Sequence, residues 1–182
     1  NFRGLETSIT KFTEHCPLPV IVKETGFGIS VTTALRLLNA GVDYIDIAGS
    51  GGTNWVLVEA QRLDKTAAEA ATELADWGNP TASVLADMRE EPRLDGVIIA
   101  SGGLRSGKDI AKSIALGAEL GAIALPFIKD VFTGGPEQVK RRIALLHQGL
   151  RTVMLLTGSR TVEDLKKTPI SVDPTLSFKT NS

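Results

Sequence analysis

Val97-Ile98-Ile99-Ala100-Ser101-Gly102-Gly103-Leu104-Arg105-Ser106-Gly107-Lys108-Asp109 is the stretch whose reading decides the fold. It opens as a short apolar run rich in β-branched residues, the pattern of a buried strand. The run breaks at Gly102-Gly103, and an amphipathic helix is predicted from about 108 to 116. Ser106 and Asp109 have the S-x-x-D spacing of a capping box, which marks the helix start. Strand, Gly-Gly turn and capped helix together make a phosphate-binding arrangement. The glycines let backbone approach an anion, and the helix N-terminus presents unpaired N–H groups and the positive end of its dipole. Arg105 adds a planar fork of donors for phosphate oxygens. The same stretch also reads as a connecting turn with a helix cap, and the motif alone does not separate the two.

The same unit recurs on both sides. Upstream, Leu5, Ile9 and Phe12 share one helix face, which Pro17 and Pro19 end. Val20-Ile21-Val22 is a short strand, closed by Lys23-Glu24 and the turn Thr25-Gly26-Phe27-Gly28. Ser30 caps a helix with Ala34, Leu35, Leu37 and Leu38 on its apolar face, stopped at Asn39-Ala40-Gly41. Tyr44-Ile45-Asp46-Ile47-Ala48 is the next strand and runs into Gly49-Ser50-Gly51-Gly52-Thr53-Asn54-Trp55. A long connection, about 56–92, carries helical parts near 58–62 and 67–75, the loop Trp77-Gly78-Asn79-Pro80, and a helix capped by Thr81 with Val84, Leu85 and Met88 on one face. Downstream, Ala122-Ile123-Ala124-Leu125 reads as a fourth strand closed by Pro126. A helix over about 136–156 turns Val139, Ile143, Leu146, Leu150, Val153 and Met154 inward. Thr161 and Asp164 cap a short helix that Pro169 ends. Residues 1–170 form one unit, and the polar tail 171–182 is read as disordered.

Four βα units in series, with strands that are continuously apolar, predict a parallel sheet covered by helices. Each polar or glycine-rich cluster follows the C-terminal end of a strand, where α/β folds place their sites. Periodicity leaves both a doubly wound sheet and a barrel open. A barrel needs eight units and typically ~250 residues, so this chain would be its second half.

Composition narrows the function. The 182 residues are 42% hydrophobic with a net charge of −1, enough for one core and without the basic bias of a nucleic-acid binder. The single cysteine, Cys16, permits no internal disulfide. No apolar run approaches the ~18 residues of a membrane span and no signal pattern opens the chain. The expectation is a soluble cytoplasmic protein with no membrane or nucleic-acid partner.

Among single residues, Lys23 directly follows a strand and so points at the mouth of the fold. There it could hold an anion, form a Schiff base, balance an anionic cofactor, or pair with Glu24 or Asp46 at the rim. Gly49–Thr53 is not a dinucleotide fingerprint, because position 54 is Asn and no strand with a following acid comes next. It reads as a backbone nest for phosphate with the Thr53 hydroxyl, or as a lid hinge. Ser101 and Ser106 lack a triad, since His15 and His147 both fall in predicted helices. No metal-ligand spacing is present.

With Val22-Lys23-Glu24-Thr25-Gly26-Phe27-Gly28-Ile29-Ser30 in view, the chain resembles the type 2 isopentenyl diphosphate isomerases, the FMN-dependent form. Gly51-Gly52-Thr53-Asn54-Trp55, Trp77-Gly78-x-Pro80-Thr81, Ser101 to Gly107, and Ala124-Leu125-Pro126 repeat that family's pattern in order, over about 2–168. The resemblance implies a TIM (β/α)8 barrel, of which this chain is the C-terminal half, binding FMN at its C-terminal face. It implies Lys23 on the pyrimidine side of the flavin, favouring the reduced anion, and Thr53 in contact with FMN. It implies that Gly103, Leu104 and Arg105, with Ala124 and Leu125, hold the FMN phosphate. Where the family commonly has Ser, this chain has Ala48, and Ser50 is the candidate replacement for that hydroxyl.

The implied reaction is a 1,3-proton shift between isopentenyl and dimethylallyl diphosphate in isoprenoid biosynthesis. Reduced FMN is the acid–base, Mg²⁺ sits on the diphosphate and NADPH reduces the flavin. The family's catalytic glutamine and Mg²⁺-binding glutamate are expected upstream of residue 1, so no catalytic or metal residue is assigned in this segment, which alone is expected to be inactive. The resemblance also implies a homo-tetramer or homo-octamer. Two rivals stay open: an FMN-dependent oxidoreductase on the same barrel, and a non-catalytic FMN-binding fragment.

Overall fold

In the computed structural model, which describes residues 3–171, four short parallel strands alternate with helices. The elements are α1 (Leu5–His15), β1 (Ile21–Lys23), α2 (Val31–Asn39), β2 (Tyr44–Asp46), α3 (Trp55–Ala60), α4 (Lys65–Thr72), α5 (Thr81–Arg89), β3 (Val97–Ala100), α6 (Gly107–Ala115), β4 (Leu120–Gly121), α7 (Leu125–Leu156) and α8 (Val162–Lys166). The sheet order is β1-β2-β3-β4, with every neighbour pair parallel. That order has no switch point among the described strands, as a barrel requires. A doubly wound sheet reverses its strand order at a switch point, whereas a barrel adds strands in sequence. The architecture is the C-terminal half of a (β/α)8 barrel.

The helices start where their side chains can cap them. Ser30 Oγ accepts the Thr33 N–H, and the Ser106/Asp109 and Thr161/Asp164 boxes are complete. Between sheet and helices lies one core of Ile29, Ala34, Leu37, Ile45, Ile47, Val84, Leu85, Met88, Ile98 and Leu104, among others. Each fully buried Leu or Ile stabilises this layer by about 1.5–3 kcal/mol. A smaller cluster of Ala111, Ile114 and Leu165 joins α6, α7 and α8. The crossing of α6 and α7 is close: a Cβ on Gly107 would stand 2.3 Å from the Leu146 carbonyl oxygen and the Leu150 nitrogen. Only glycine fits there, so α6 begins hard against α7.

Several elements differ from their sequence reading. The fourth strand lies at Leu120–Gly121 and not at 122–125. The ladder ends as the Ala122 N–H reaches the Ala100 carbonyl, and Ala124 already has helical torsions. Pro126 is therefore in the first turn of α7, where its fixed φ and missing N–H cost nothing; it opens a helix and does not close a strand. That helix breaks at Gly135 (φ 59, ψ −153), ahead of Pro136, and resumes over the range expected. The Arg142 guanidinium donates two bonds to Asp130, at 2.6 and 2.9 Å, tying the two parts together. Ile143, expected inward, is exposed, while Leu146 is buried. Thr81 lies one residue inside α5 and is not its cap. The long connection resolves into α3 and α4, each starting two or three residues earlier than expected, with Asn54 and Asp64 as caps. The tail beyond 171 lies outside the described residues. The outer strands leave Ile21 and Leu120 exposed.

Candidate FMN site

Because the strands are parallel, all four C-terminal ends open onto one end of the sheet, and the helices that follow start there. The loops after β1, β2 and β3 touch one another at this end.

Lys23 is the last residue of β1. Its Nζ donates to the backbone carbonyl of Glu24 at 2.8 Å. Neither carboxylate expected as a rim partner takes the ammonium. The Glu24 carboxylate turns back on its own loop, where Oε2 accepts the N–H groups of Gly26 (2.6 Å), Phe27 and Gly28 (3.0 Å). Burial pushes this carboxyl up, but the backbone bonds from Phe27, Gly26, Thr25 and Gly28 together hold it below the usual range. The loop is braced on both sides. Gly28 N–H donates to the Ala48 carbonyl, Asn79 N–H donates to the Phe27 carbonyl, and Asn79 Nδ2 donates to the Gly28 carbonyl. A Cβ on Gly26 would stand 2.6 Å from the Thr53 carbonyl oxygen, so the Lys23 and Thr53 loops are in contact.

The second carboxylate, Asp46, is buried at the end of β2. Its Oδ1 accepts the Ser101 hydroxyl and, at 3.1 Å, the Ala48 N–H. Ala48 has φ 39, and among the described residues it is the one non-glycine with positive φ. Such backbone costs on the order of 1–3 kcal/mol, and the Asp46 and Gly28 bonds hold it in place. Ser50, the candidate replacement for the absent hydroxyl at 48, donates its backbone N–H to the Asn79 carbonyl. The Thr81 hydroxyl lies within reach of the Ser101 and Gly102 carbonyls, at 2.9 and 2.6 Å. Above this polar layer the two glycine loops meet. Gly102 has φ +94, and a Cβ there would stand 1.9 Å from the Gly49 carbonyl oxygen.

Arg105 caps that junction. Its guanidinium donates to the Gly103 carbonyl at 2.7 Å and to the Gly51 carbonyl at 3.2 Å. Asp109 Oδ2 accepts the Arg105 N–H, the Ser106 N–H and the Ser106 hydroxyl. Burial raises this carboxyl, but the Ser106 hydroxyl, the Arg105 and Ser106 backbone donors and the Lys108 charge bring it below the usual range. Among the described residues, the N–H groups of Gly103 and Leu104 donate to no other protein group. Two glycine loops in backbone contact, unpartnered N–H groups and an exposed guanidinium are the donor set that a phosphate monoester requires. The residues present fit that part of FMN.

Gly103, Leu104 and Arg105 are thus brought together, with Gly51 of the 49–53 loop beside them. Lys23 and Thr53 stand on adjoining loops. Ala124 and Leu125 lie one strand over, at the start of α7, and β4 reaches the cluster where a Cβ on Gly121 would meet Leu104 at 3.2 Å. Sequence reasoning missed the work of the Glu24 carboxylate, the Asp46–Ser101 bond and Asn79. An acid inside the apolar run Tyr44–Ala48 was the one available signal, since a charge placed there needs a partner.

A family model described as FMN-dependent dehydrogenase matches residues 5–172. Curated relatives named isopentenyl-diphosphate delta-isomerase include one from Archaeoglobus fulgidus, 44% identical over 167 residues (90% of this chain, 46% of the relative), and one from Borrelia garinii subsp. bavariensis, 41% identical over 167 residues (92% and 46%). This chain spans about half the length of the curated relatives it matches. Among solved structures, the (S)-mandelate dehydrogenase from Pseudomonas putida superposes with a TM-score of 0.65 at 20% identity, covering 88% of this chain and 39% of that one. A mandelate oxidase carrying an FMN adduct gives 0.61 at 21% identity, covering 92% and 46%. These two likenesses bear on the fold alone, and they bear out the half-barrel.

Proposed function

We propose, on the premise that the chain belongs to the FMN-dependent dehydrogenase family, that it supplies the C-terminal half of an FMN-binding barrel which interconverts isopentenyl and dimethylallyl diphosphate. The observation that carries the cofactor is the junction of the 49–53 and 102–105 loops under Arg105. The N–H groups of Gly103 and Leu104 and the Arg105 guanidinium hold the phosphate, with Ala124 and Leu125 closing the site from the α7 side. Thr53 and Lys23 follow around the mouth, away from the phosphate end. Lys23 supplies a positive charge at the rim, where it favours an anionic ring. When bound and reduced, FMN supplies the acid–base chemistry of the proton shift. This segment binds and orients the cofactor and excludes water around it. Mg²⁺ on the substrate diphosphate, NADPH as reductant, a cytoplasmic location and a homo-oligomer belong to the same proposal and rest on the resemblance.

The isomerase reading is favoured over a 2-hydroxy-acid oxidoreductase by the 37–44% identities to isomerase relatives. The lactate- and mandelate-oxidising structures stand at 19–26%. The test is titration of the full chain with FMN and riboflavin, followed by an isopentenyl diphosphate assay with reduced flavin. At ~1.5–3 kcal/mol per bond to a charged group, FMN should bind at least about a hundredfold tighter than riboflavin, and dimethylallyl diphosphate should form. Equal affinities would overturn the phosphate site. Oxidation of a 2-hydroxy acid without isomerisation would favour the oxidoreductase, and FMN binding with neither activity would favour the non-catalytic reading.

A further inference from the structure

The Glu24 carboxylate is spent on its own loop, and the backbone carbonyl of the same residue is the hydrogen-bond partner of the Lys23 ammonium. We infer that Glu24 is a positioning residue for Lys23: its carboxylate gathers the N–H groups of Gly26, Phe27 and Gly28, and so fixes the peptide that anchors Nζ. The inference rests on the proposed reading of Lys23 as a charge beside FMN.

The physical case starts with Lys23 itself. A lysine carries about 2 kcal/mol of rotamer entropy on a flexible four-carbon stem, and Lys23 is exposed at the end of β1. A charge that wanders in water favours nothing in particular. The bond to the Glu24 carbonyl gives it an address, provided that carbonyl is itself fixed. On one side it is, because the Glu24 N–H donates to the Asp46 carbonyl in the ladder. Beyond Glu24 the chain leaves the sheet and passes two positive-φ glycines, Gly26 and Gly28, with nothing in their side chains to hold them. The carboxylate holds them from within, and at Gly28 it acts together with the Ala48 carbonyl and the Asn79 amide. Three charge-assisted bonds converge on one oxygen, each stronger than its neutral counterpart. Removing the side chain frees the Gly26 and Phe27 N–H groups, while the Gly28 N–H keeps its bond to the Ala48 carbonyl. The same turn touches the Thr53 carbonyl and Asn79, so its order is shared with the next loop.

An acid beside a lysine at a cofactor's edge suggests an ion pair that neutralises the lysine. The geometry gives the opposite: the carboxylate is turned away and engaged, which leaves the ammonium its charge and fixes its place. Glu24 therefore serves Lys23 without quenching it.

The test uses the full-length holoprotein and reads the ratio of oxidised to reduced FMN dissociation constants, obtained independently of turnover from the bound flavin's two-electron potential. Lys23→Ala should lower the preference for reduced FMN about tenfold or more, a fall of about 30 mV for a two-electron couple. Glu24→Ala should lower it by a similar factor. In a Lys23→Ala background, Glu24→Ala should change the ratio by less than twofold, because its effect passes through the lysine. Glu24→Gln keeps an acceptor oxygen and the shape. It should give an intermediate loss of about threefold, and it completes the same cycle if Glu24→Ala does not fold. The FMN-to-riboflavin affinity ratio, set at Gly103–Arg105, should stay within twofold in every variant. Equal shifts from the Glu24 change with and without Lys23 would overturn the inference, as would no shift in either Glu24 variant. A protein that binds no FMN would instead sink the underlying function. FMN binding with an unmoved ratio in Lys23→Ala would remove the role of Lys23, and with it this inference.

Discussion

The loop after β1 and the loop after β3 both aim backbone N–H groups at a carboxylate, but the carboxylate enters from different places. After β1 it comes from the loop's own first residue, and Glu24 Oε2 takes Gly26, Phe27 and Gly28 in succession. After β3 it comes from one turn into the helix. Asp109 reaches back only as far as Arg105 and Ser106, and the Gly103 and Leu104 N–H groups stay open. The first nest is filled from within, and the second is half filled, with two N–H groups left without a protein acceptor beside a guanidinium. The position of one acid relative to the turn decides whether the same backbone device is internal structure or a place for a ligand's anion.

The largest expected effect comes from destroying the second loop's contact outright. Gly102→Ala puts a methyl group 1.9 Å from the Gly49 carbonyl oxygen at φ +94. Overpacking and left-handed strain together should cost about 3 kcal/mol or more, read as a lowered urea midpoint, with FMN binding lost. If stability held and FMN still bound, the loop junction would not be the site's foundation. Next comes the open half of the nest. Arg105→Ala removes a charged donor and should weaken FMN about tenfold to a hundredfold by titration, at ~1.5–3 kcal/mol for a hydrogen bond to a charged group. Riboflavin affinity should hold. Equal weakening of both ligands would place Arg105 away from the phosphate and dissolve the contrast between the two loops.

Much of this contrast was legible in the chain and some was not. The Gly-Gly turn, Arg105 and the Ser106/Asp109 box could be read because they stand together in the chain, but the contacts of Gly102 with Gly49 and of Arg105 with Gly51, 54 positions away, could not. The parallel sheet could be read from uninterrupted apolar strands. The barrel-type order came from the family resemblance and not from periodicity, because strand order is a long-range property that periodicity does not carry. Pro126 misled for a local reason: after an apolar run a proline closes a strand or opens a helix, and only the Ala122–Ala100 pairing shows which. The Glu24 carboxylate was hidden by its neighbour. A Lys-Glu pair suggests an ion pair, and nothing local says that three N–H groups will outbid the ammonium. Asp46 with Ser101 joins residues 55 positions apart, out of reach of any local reading.

The smallest expected effect is the pH response of the two carboxylates, and it separates their loops without touching the glycines or Arg105. Both Glu24 and Asp109 are held below their ordinary values in the folded chain. A group depressed by folding contributes stability that is fully present above its unfolded value, about 4.3 for Glu and 3.9 for Asp. That contribution is lost as pH falls through the folded value. The urea midpoint should therefore be insensitive to both groups between pH 8 and 6 and should fall on acidification below about pH 4. Glu24→Gln and Asp109→Asn should each flatten part of that fall. They should differ in what else they change. Glu24→Gln leaves the phosphate nest alone, so at pH 7 its FMN-to-riboflavin ratio should match the unaltered protein. Asp109→Asn loosens the Arg105 and Ser106 N–H groups and should lower that ratio a few-fold, since a helix cap is worth about 1 kcal/mol. Should Glu24→Gln lower the ratio and Asp109→Asn leave it unmoved, the filled and open nests would have been assigned the wrong way round.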